Sequence, residues 1–308
     1  MDKMKRIALC FKVLLILLAL VFLLFKWETI TNLHLAKYNP FSKITDEYVS
    51  PYIYVLDNNT GEVMIDKNET KKTYPASLTK IMTTIVALEH IDDLNTMTAI
   101  DIDTYQEMVA RNSSMAGFVG KEEVTLRDLL YGTMLSSGGK AANTLAIHVA
   151  GSVESFVHMM NEKANELDLQ HTNFTNPEGL HDKNQYTTAR DMAMLLNYVL
   201  QDGDFRAIFT KKNHLTTSTI DHPDGILLAS TVLAELDGEE SALFEIIGGK
   251  SGTTYEAGQC WATLGIVGER EYLAIVMGAP FKDFSELDQA QMADTIKIYE
   301  TIGRRIHE

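Results

Sequence analysis

The sequence contains only two cysteines, Cys10 and Cys260. Cys10 lies in a long apolar run and Cys260 in the polar body of the chain, so we expect no disulfide between them. Cys260 stands beside Trp261 and other apolar residues, which is typical of a small buried core residue. No Cys/His cluster has the spacing of a zinc site. A disulfide scaffold and a Cys/His metal framework are therefore excluded.

Basic residues are also scarce, with 27 Lys and Arg against 42 Asp and Glu and a formal net charge of −15. Such a charge argues against nucleic acid as a partner. The only glycine-rich spot, Ser136-Ser137-Gly138-Gly139, lacks the spacing of a phosphate-binding loop. We expect no cofactor. The 45 % hydrophobic and 22 % charged content is typical of a globular protein.

One hydrophobic run stands apart from this pattern, between Ile7 and Phe25. As a helix it would span roughly 28 Å, close to the thickness of a bilayer core. Three basic residues precede it, which places the N-terminus in the cytoplasm and the body outside. No small-residue cleavage site follows, which favours an uncleaved signal-anchor over a cleaved signal peptide. We predict an anchor at 1–26 in the plasma membrane, a stalk at 27–47 and an extracytoplasmic domain at 48–308.

The body alternates between strand and helix patterns. Near its start, Tyr52–Leu56 and Glu62–Ile65 predict a hairpin across a turn sequence. The middle predicts helices at 126–135, 141–150, 153–167 and 189–200, with Thr125 and Thr188 as N-caps. Near the end, strands are predicted at 244–248, 262–267 and 272–277 before a last helix at 287–302. The fold class is therefore mixed α/β, with one sheet built from both chain ends and a helical subdomain beside it.

A serine and a lysine stand three residues apart in Pro75-Ala76-Ser77-Leu78-Thr79-Lys80. Residues i and i+3 share a helix face, and Pro75 favours a helix that begins here. Ser77 would then lie in the first turn, where backbone N–H groups lack partners. A serine hydroxyl needs a base, and a lysine can act as one only if burial or a second cation lowers its pKa. Ser-x-x-Lys also occurs by chance, so the rest of the sequence must show whether this copy is catalytic.

The context comes from two later elements, Ser136-Ser137-Gly138-Gly139 and Lys250-Ser251-Gly252-Thr253. With Ser77-x-x-Lys80, this order resembles the serine D-alanyl-D-alanine carboxypeptidases, the low-molecular-weight penicillin-binding proteins. Their motifs are Ser-x-x-Lys, Ser-x-Asn and Lys-Thr/Ser-Gly. The segments Asn176–Leu180 and Thr188–Met192 look like the same family, and the resemblance covers roughly 49–280.

The resemblance implies a DD-peptidase/β-lactamase-like fold, with an antiparallel sheet flanked by helices. It implies an acyl-enzyme on Ser77 and Lys80 as the base. Lys250 would supply the second cation that lowers the pKa of Lys80. Ser137, hydrogen-bonded between the two lysines, would pass a proton to the leaving D-alanine.

The implied substrates are peptidoglycan stem peptides ending in D-Ala-D-Ala, and β-lactams would bind the same site. The oxyanion would lie between the N–H groups of Ser77 and Thr253. Lys250 and Ser251 would face the C-terminal carboxylate of the substrate. The predicted substrate-binding set is Lys250, Ser251, Gly252 and Thr253.

The sequence departs from the family pattern at Gly139, where the family has the asparagine of Ser-x-Asn. Asn143, one helical turn later, is a candidate substitute. This departure keeps open a receptor that binds muropeptides or β-lactams without turnover. A β-lactamase is the other alternative, although Glu166-Leu167-Asp168-Leu169-Gln170 lacks the asparagine of its deacylation motif. We expect Glu178 to shape a loop.

Two further pairs of residues have interpretations that do not depend on this family. His214 and Asp221 are spaced as in zinc peptidases, but the Glu-x-x-His that should follow them is missing, so a zinc site is not expected. Arg190 and Asp191 fit a structural role at a helix start better than a catalytic one.

Overall fold

The computed structural model describes residues 47–111, 113–239, 241–285 and 287–306. The predicted anchor, almost all of the predicted stalk and Cys10 lie outside these residues. None of the helices within them is long and apolar enough to cross a membrane.

The chain opens on strands, continues mainly through helices and closes on three long strands and a helix. In chain order the elements are β1 (Tyr52–Asp57), β2 (Val63–Lys67), α1 (Thr79–Leu88), β3 (Met97–Ala99), α2 (Ile102–Ala110), β4 (Glu123–Thr125), α3 (Leu126–Met134), α4 (Gly139–Ala150), α5 (Val153–Glu166), α6 (Ala189–Val199), α7 (Gly203–Phe209), β5 (Asn213–Leu215), β6 (Leu227–Ala229), α8 (Thr231–Glu235), β7 (Glu245–Thr254), β8 (Gly258–Val267), β9 (Arg270–Ala279) and α9 (Ala290–Ile306).

The central sheet has five strands in the order β2-β1-β9-β8-β7. β1 pairs antiparallel with β9, so that Tyr52 lies opposite Met277, and the two ends of the body share one sheet. This confirms the predicted architecture. β7 is an edge strand and is longer than predicted, because Lys250 to Thr253 continue it rather than follow it.

The two faces of the sheet carry different layers, since alternate side chains point to opposite sides. Ala262 and Leu264 of β8 belong to the core that the helices of the middle segment share. Between and beyond them, Thr263 and Gly265 face α9. Thr263 Oγ1 lies 3.1 Å from the hydroxyl of Tyr299, and a Cβ at Gly265 would lie 2.4 Å from the ring of Tyr299. The glycine therefore lets α9 pack closely on the sheet.

The helical part is built around α1, whose residues Thr79 to Ala87 are all buried. The helix is apolar on all sides, which is typical of a buried central helix. The two predicted N-caps are also confirmed. Thr125 Oγ1 accepts the N–H of Asp128 at 3.1 Å, and Thr188 Oγ1 accepts that of Asp191 at 3.0 Å. Each bond satisfies a helix N–H that has no partner within its helix.

The segment between Asp92 and Glu123, for which the sequence predicts no regular element, contains β3 and α2. α2 starts at an N-cap, where Asp101 accepts the N–H of Thr104 at 2.8 Å. Its apolar signal is weak because only Thr104 and Met108 are buried. Sequence periodicity therefore missed the helix, and it missed the short helices α7 and α8 for lack of length.

Candidate active site

Ser77 lies in a single 3₁₀ turn, Ala76–Leu78, which leads directly into α1. Lys80 Nζ donates a hydrogen bond to Ser77 Oγ at 3.0 Å. The i, i+3 spacing therefore brings a nucleophile and an amine together, as the sequence predicts. Ala76 has a φ of +46°, a left-handed conformation that costs a non-glycine residue about 1 kcal/mol. Neighbouring elements must therefore stabilise this strained turn.

One such neighbour is Gly179. A Cβ at this position would lie 2.1 Å from the carbonyl oxygen of Ala76 and 3.0 Å from Ser77 Cα. Only a glycine lets the 176–180 loop lie so close to the nucleophile turn. The loop identified in the sequence as family-like is thus part of the site wall.

Lys80 is only 1 % exposed. Its ammonium donates to Ser77 Oγ and to the backbone carbonyl of Glu178. Burial lowers the pKa of Lys80 to about 8, against an opposing contribution from the Glu178 carboxylate. A useful fraction of Lys80 is therefore unprotonated near neutral pH and able to accept a proton from Ser77.

Lys250 is fully buried, and its ammonium donates to Ser137 Oγ at 2.9 Å and to the Ser251 carbonyl at 2.7 Å. Burial holds the pKa of Lys250 well below its usual range, and the charge of Lys80 lowers it further. At both lysines burial is the main cause of the lowered pKa, whereas the sequence predicts the charge of Lys250 as the cause for Lys80. Ser137 was expected to bond both lysines. In the structure its hydroxyl accepts a hydrogen bond from Lys250, while Lys80 donates to Ser77.

Strand β7 lies against the nucleophile turn. A Cβ at Gly252 would lie 2.7 Å from the backbone nitrogen of Ser77, so the third motif needs glycine for this contact. Ser251 Oγ lies 2.6 Å from Thr231 Oγ1, at the start of α8. Thr253 is partly exposed. Thr231 was not found from the sequence, because it lies in a short helix with no motif of its own.

Gly139 begins α4, and the space for a side chain there is already occupied. A Cβ at Gly139 would lie 2.3 Å from Ser113 Oγ and 3.1 Å from Met108 Sδ. The Gly139 N–H donates to the Ser114 carbonyl at 2.8 Å. Asn143, the candidate substitute, is buried, and its Oδ1 has no hydrogen-bond partner among the described residues. The segment after α2 therefore fills the position where the family pattern has asparagine.

The alternative motifs make contacts elsewhere. Glu166 is exposed and pairs with Lys163 at 2.7 Å. His214 Nε2 lies 2.7 Å from Asp128 Oδ1. Asp191 accepts hydrogen bonds from the His171 N–H and the Thr172 hydroxyl, which confirms its structural role. These contacts support neither a β-lactamase deacylation motif at Glu166 nor a zinc site at His214.

The sequence of the chain matches a known family. A family model described as D-alanyl-D-alanine carboxypeptidase matches residues 41–281. The chain belongs to peptidase family S11. The serine-peptidase identity and the DD-peptidase fold predicted from the three motifs are confirmed.

Relatives support the assignment. D-alanyl-D-alanine carboxypeptidase DacA of Haemophilus influenzae is 31 % identical over 86 % of this chain and 68 % of its own length. DacF of Bacillus subtilis is 29 % identical over 80 % of this chain and 62 % of its own length. This S11 chain thus spans about two thirds of these curated relatives. The solved structure of the Streptomyces K15 DD-transpeptidase aligns with a TM-score of 0.72 and 26 % identity, over 84 % of this chain and 98 % of the other.

Proposed function

We propose that this chain is a serine D-alanyl-D-alanine carboxypeptidase that removes the terminal D-alanine from peptidoglycan stem peptides. The observation that carries the proposal is the 3.0 Å hydrogen bond between the buried Lys80 amine and the Ser77 hydroxyl. Neutral Lys80 takes the proton of Ser77 as Oγ attacks the carbonyl carbon of the penultimate D-alanine. The oxyanion is held by backbone N–H groups at the Ser77 turn and at Thr253.

The terminal D-alanine leaves as an amine and needs a proton. Ser137 can deliver it, because its hydroxyl can pass on its own proton and take a replacement from the Lys250 ammonium, which donates to Ser137 Oγ at 2.9 Å. The acyl-enzyme is an ester between Ser77 and the shortened peptide. Water then attacks this ester and gives its proton to Ser137, which restores the charge of Lys250, while Lys80 returns its proton to Ser77 Oγ.

The position of Lys250 also accounts for the choice of a free C-terminus. Its cation and the hydroxyl of Ser251 lie on the edge strand β7, where a substrate carboxylate would meet a positive charge. β-Lactams, which present a carboxylate beside a reactive carbonyl, would acylate the same serine. Because Lys250 is buried, little solvent screens the charge of its ammonium form.

The proposal is tested by D-alanine release from a peptide ending in D-Ala-D-Ala, with labelling by a fluorescent penicillin alongside. Ser77→Ala is expected to reduce release by about 10⁴-fold or more, because the nucleophile is lost, and to prevent labelling. Ser218→Ala, at an exposed serine, is the matched control and should change neither. Release by Ser77→Ala at the wild-type rate would refute the mechanism. Penicillin capture without D-alanine release would favour the receptor instead.

We further propose that the domain is held at the outer face of the plasma membrane by the segment 1–26. The support is the apolar run between Ile7 and Phe25 and the basic residues before it. A cell-wall substrate is also found on that side of the membrane. The anchor would keep the enzyme close to newly made peptidoglycan.

A further inference from the structure

Glu178 is a buried acid at the edge of the active site, only 3 % exposed. Its Oε2 has no hydrogen-bond partner among the described residues. A buried carboxylate oxygen without a hydrogen-bond partner is costly, and each such atom in a native structure calls for an explanation. The backbone carbonyl of the same residue accepts a hydrogen bond from Lys80 Nζ. The acid is therefore fixed beside the base that activates Ser77.

Charged groups reach this acid from two other elements. From α1, Lys80 faces it as described. From the end of α2, Arg111 Nη1 lies 3.7 Å from Glu178 Oε1, and the same nitrogen lies 3.1 Å from Glu107 Oε1. On β7, Lys250 lies close enough to Lys80 for the charge of Lys80 to lower the pKa of Lys250. Glu178 thus links the surface pair Glu107–Arg111 to the buried lysine.

We propose that Glu178 is a positioning residue whose carboxylate charge sets the pH at which Lys80 becomes a base. The inference rests on the proposed function, because it assigns Lys80 as the base of that reaction. When Glu178 is ionised it stabilises the ammonium form of Lys80, and activation of Ser77 needs a higher pH. When Glu178 is neutral, Lys80 loses its proton more readily.

The shifts of both groups agree with this geometry. Burial raises the pKa of Glu178, while Lys80 and Arg111 oppose that rise. The Glu178 charge raises the pKa of Lys80 against the effect of burial. Because their charges interact, ionisation of either group changes the pKa of the other. Acid pH therefore reduces activity, and Glu178 decides where the reduction begins.

The test is the pH dependence of kcat/KM for D-alanine release by the purified full-length chain and by Glu178→Gln. Glutamine keeps the size of the side chain and the backbone carbonyl but removes the charge. The acidic limb of kcat/KM reports the free enzyme, and we expect its midpoint to move to lower pH by about one unit. At pH 6 the variant should then be about tenfold more active than wild type.

Glu154→Gln is the matched control, since it removes an exposed carboxylate at the start of α5 that does not belong to the Glu178, Arg111 and Glu107 cluster, and its acidic limb should stay in place. If Glu178→Gln does not fold, Glu178→Met gives the same comparison with an uncharged side chain of similar length. A merely structural role would lower the rate at every pH without moving the limb, and that result would overturn the inference alone. A wild-type chain that neither releases D-alanine nor reacts with penicillin at any pH would overturn the proposed function as well.

Discussion

Replacing Lys80 by methionine is the sharpest test of the claim that the site contains a lysine kept neutral by burial. The claim predicts that the wild-type chain loses stability by holding this ammonium. Methionine fills a similar volume without charge. It also removes the donors to Ser77 Oγ and to the Glu178 carbonyl, but that loss is the same at every pH. The pH dependence of the stability difference therefore isolates the ammonium.

The magnitude follows from the pKa of Lys80, which is lowered from 10.5 to about 8. At about 1.4 kcal/mol per unit, the charged form costs about 3 kcal/mol of folding free energy. Below about pH 8 both the folded and the unfolded chain bind the proton, so the full cost is present. Between about 8 and 10.5 only the unfolded chain binds it, and wild-type stability rises with pH. The stability difference between variant and wild type should fall by about 2 kcal/mol from pH 8 to pH 10.

The measurement is urea denaturation of the two proteins across pH 8 to 10, a range above the titration of ordinary carboxyls. Both proteins should carry Lys250→Met, so that the second buried amine does not titrate. Lys183→Met, at an exposed lysine, supplies the baseline for loss of a surface charge. A Lys80→Met difference that stays constant over this range would refute the reasoning, because it would mean that Lys80 keeps an ordinary pKa in the folded state.

Two further predictions concern the motif departure and the topology. Gly139→Asn should destabilise the chain by about 1–3 kcal/mol through overpacking, because its Cβ would lie 2.3 Å from Ser113 Oγ. Adding Ser113→Gly should restore most of that lost stability, as measured by urea denaturation. Equal stability of the single and double variants would contradict the inference that Ser113 fills the space beside Gly139. A reporter that works only outside the cytoplasm, fused after Glu308, should be active. Activity of a cytoplasmic reporter at the same point would contradict the proposed topology.

Much of the site could be predicted from local sequence. Ser77 and Lys80 meet because helical periodicity brings residues three apart onto one face, and no distant contact is needed for that. The caps at Thr125 and Thr188 and the strands at both ends follow from equally local patterns. Local patterns did not predict helices such as α2 and α8, because too few of their residues are buried to give a periodic apolar pattern.

Other features depended on residues far apart in the chain. Thr231 holds Ser251, and Arg111 approaches Glu178, although neither arginine nor threonine stands in a motif. Nothing in the local sequence marks Ser113 as the residue that fills the space at Gly139. Such contacts arise from packing of loops that no periodicity describes.

The sequence by itself determined the chemistry of the nucleophile, because the spacing of Ser77 and Lys80 and the local turn after Pro75 are properties of one short segment. Only the tertiary structure decided the state of the base. The pKa of Lys80 depends on how completely the helices and the sheet exclude water from it, and on the carboxylate of Glu178 beside it. Both the exclusion of water and the charge around the Lys80 amine come from residues that are far apart in the sequence.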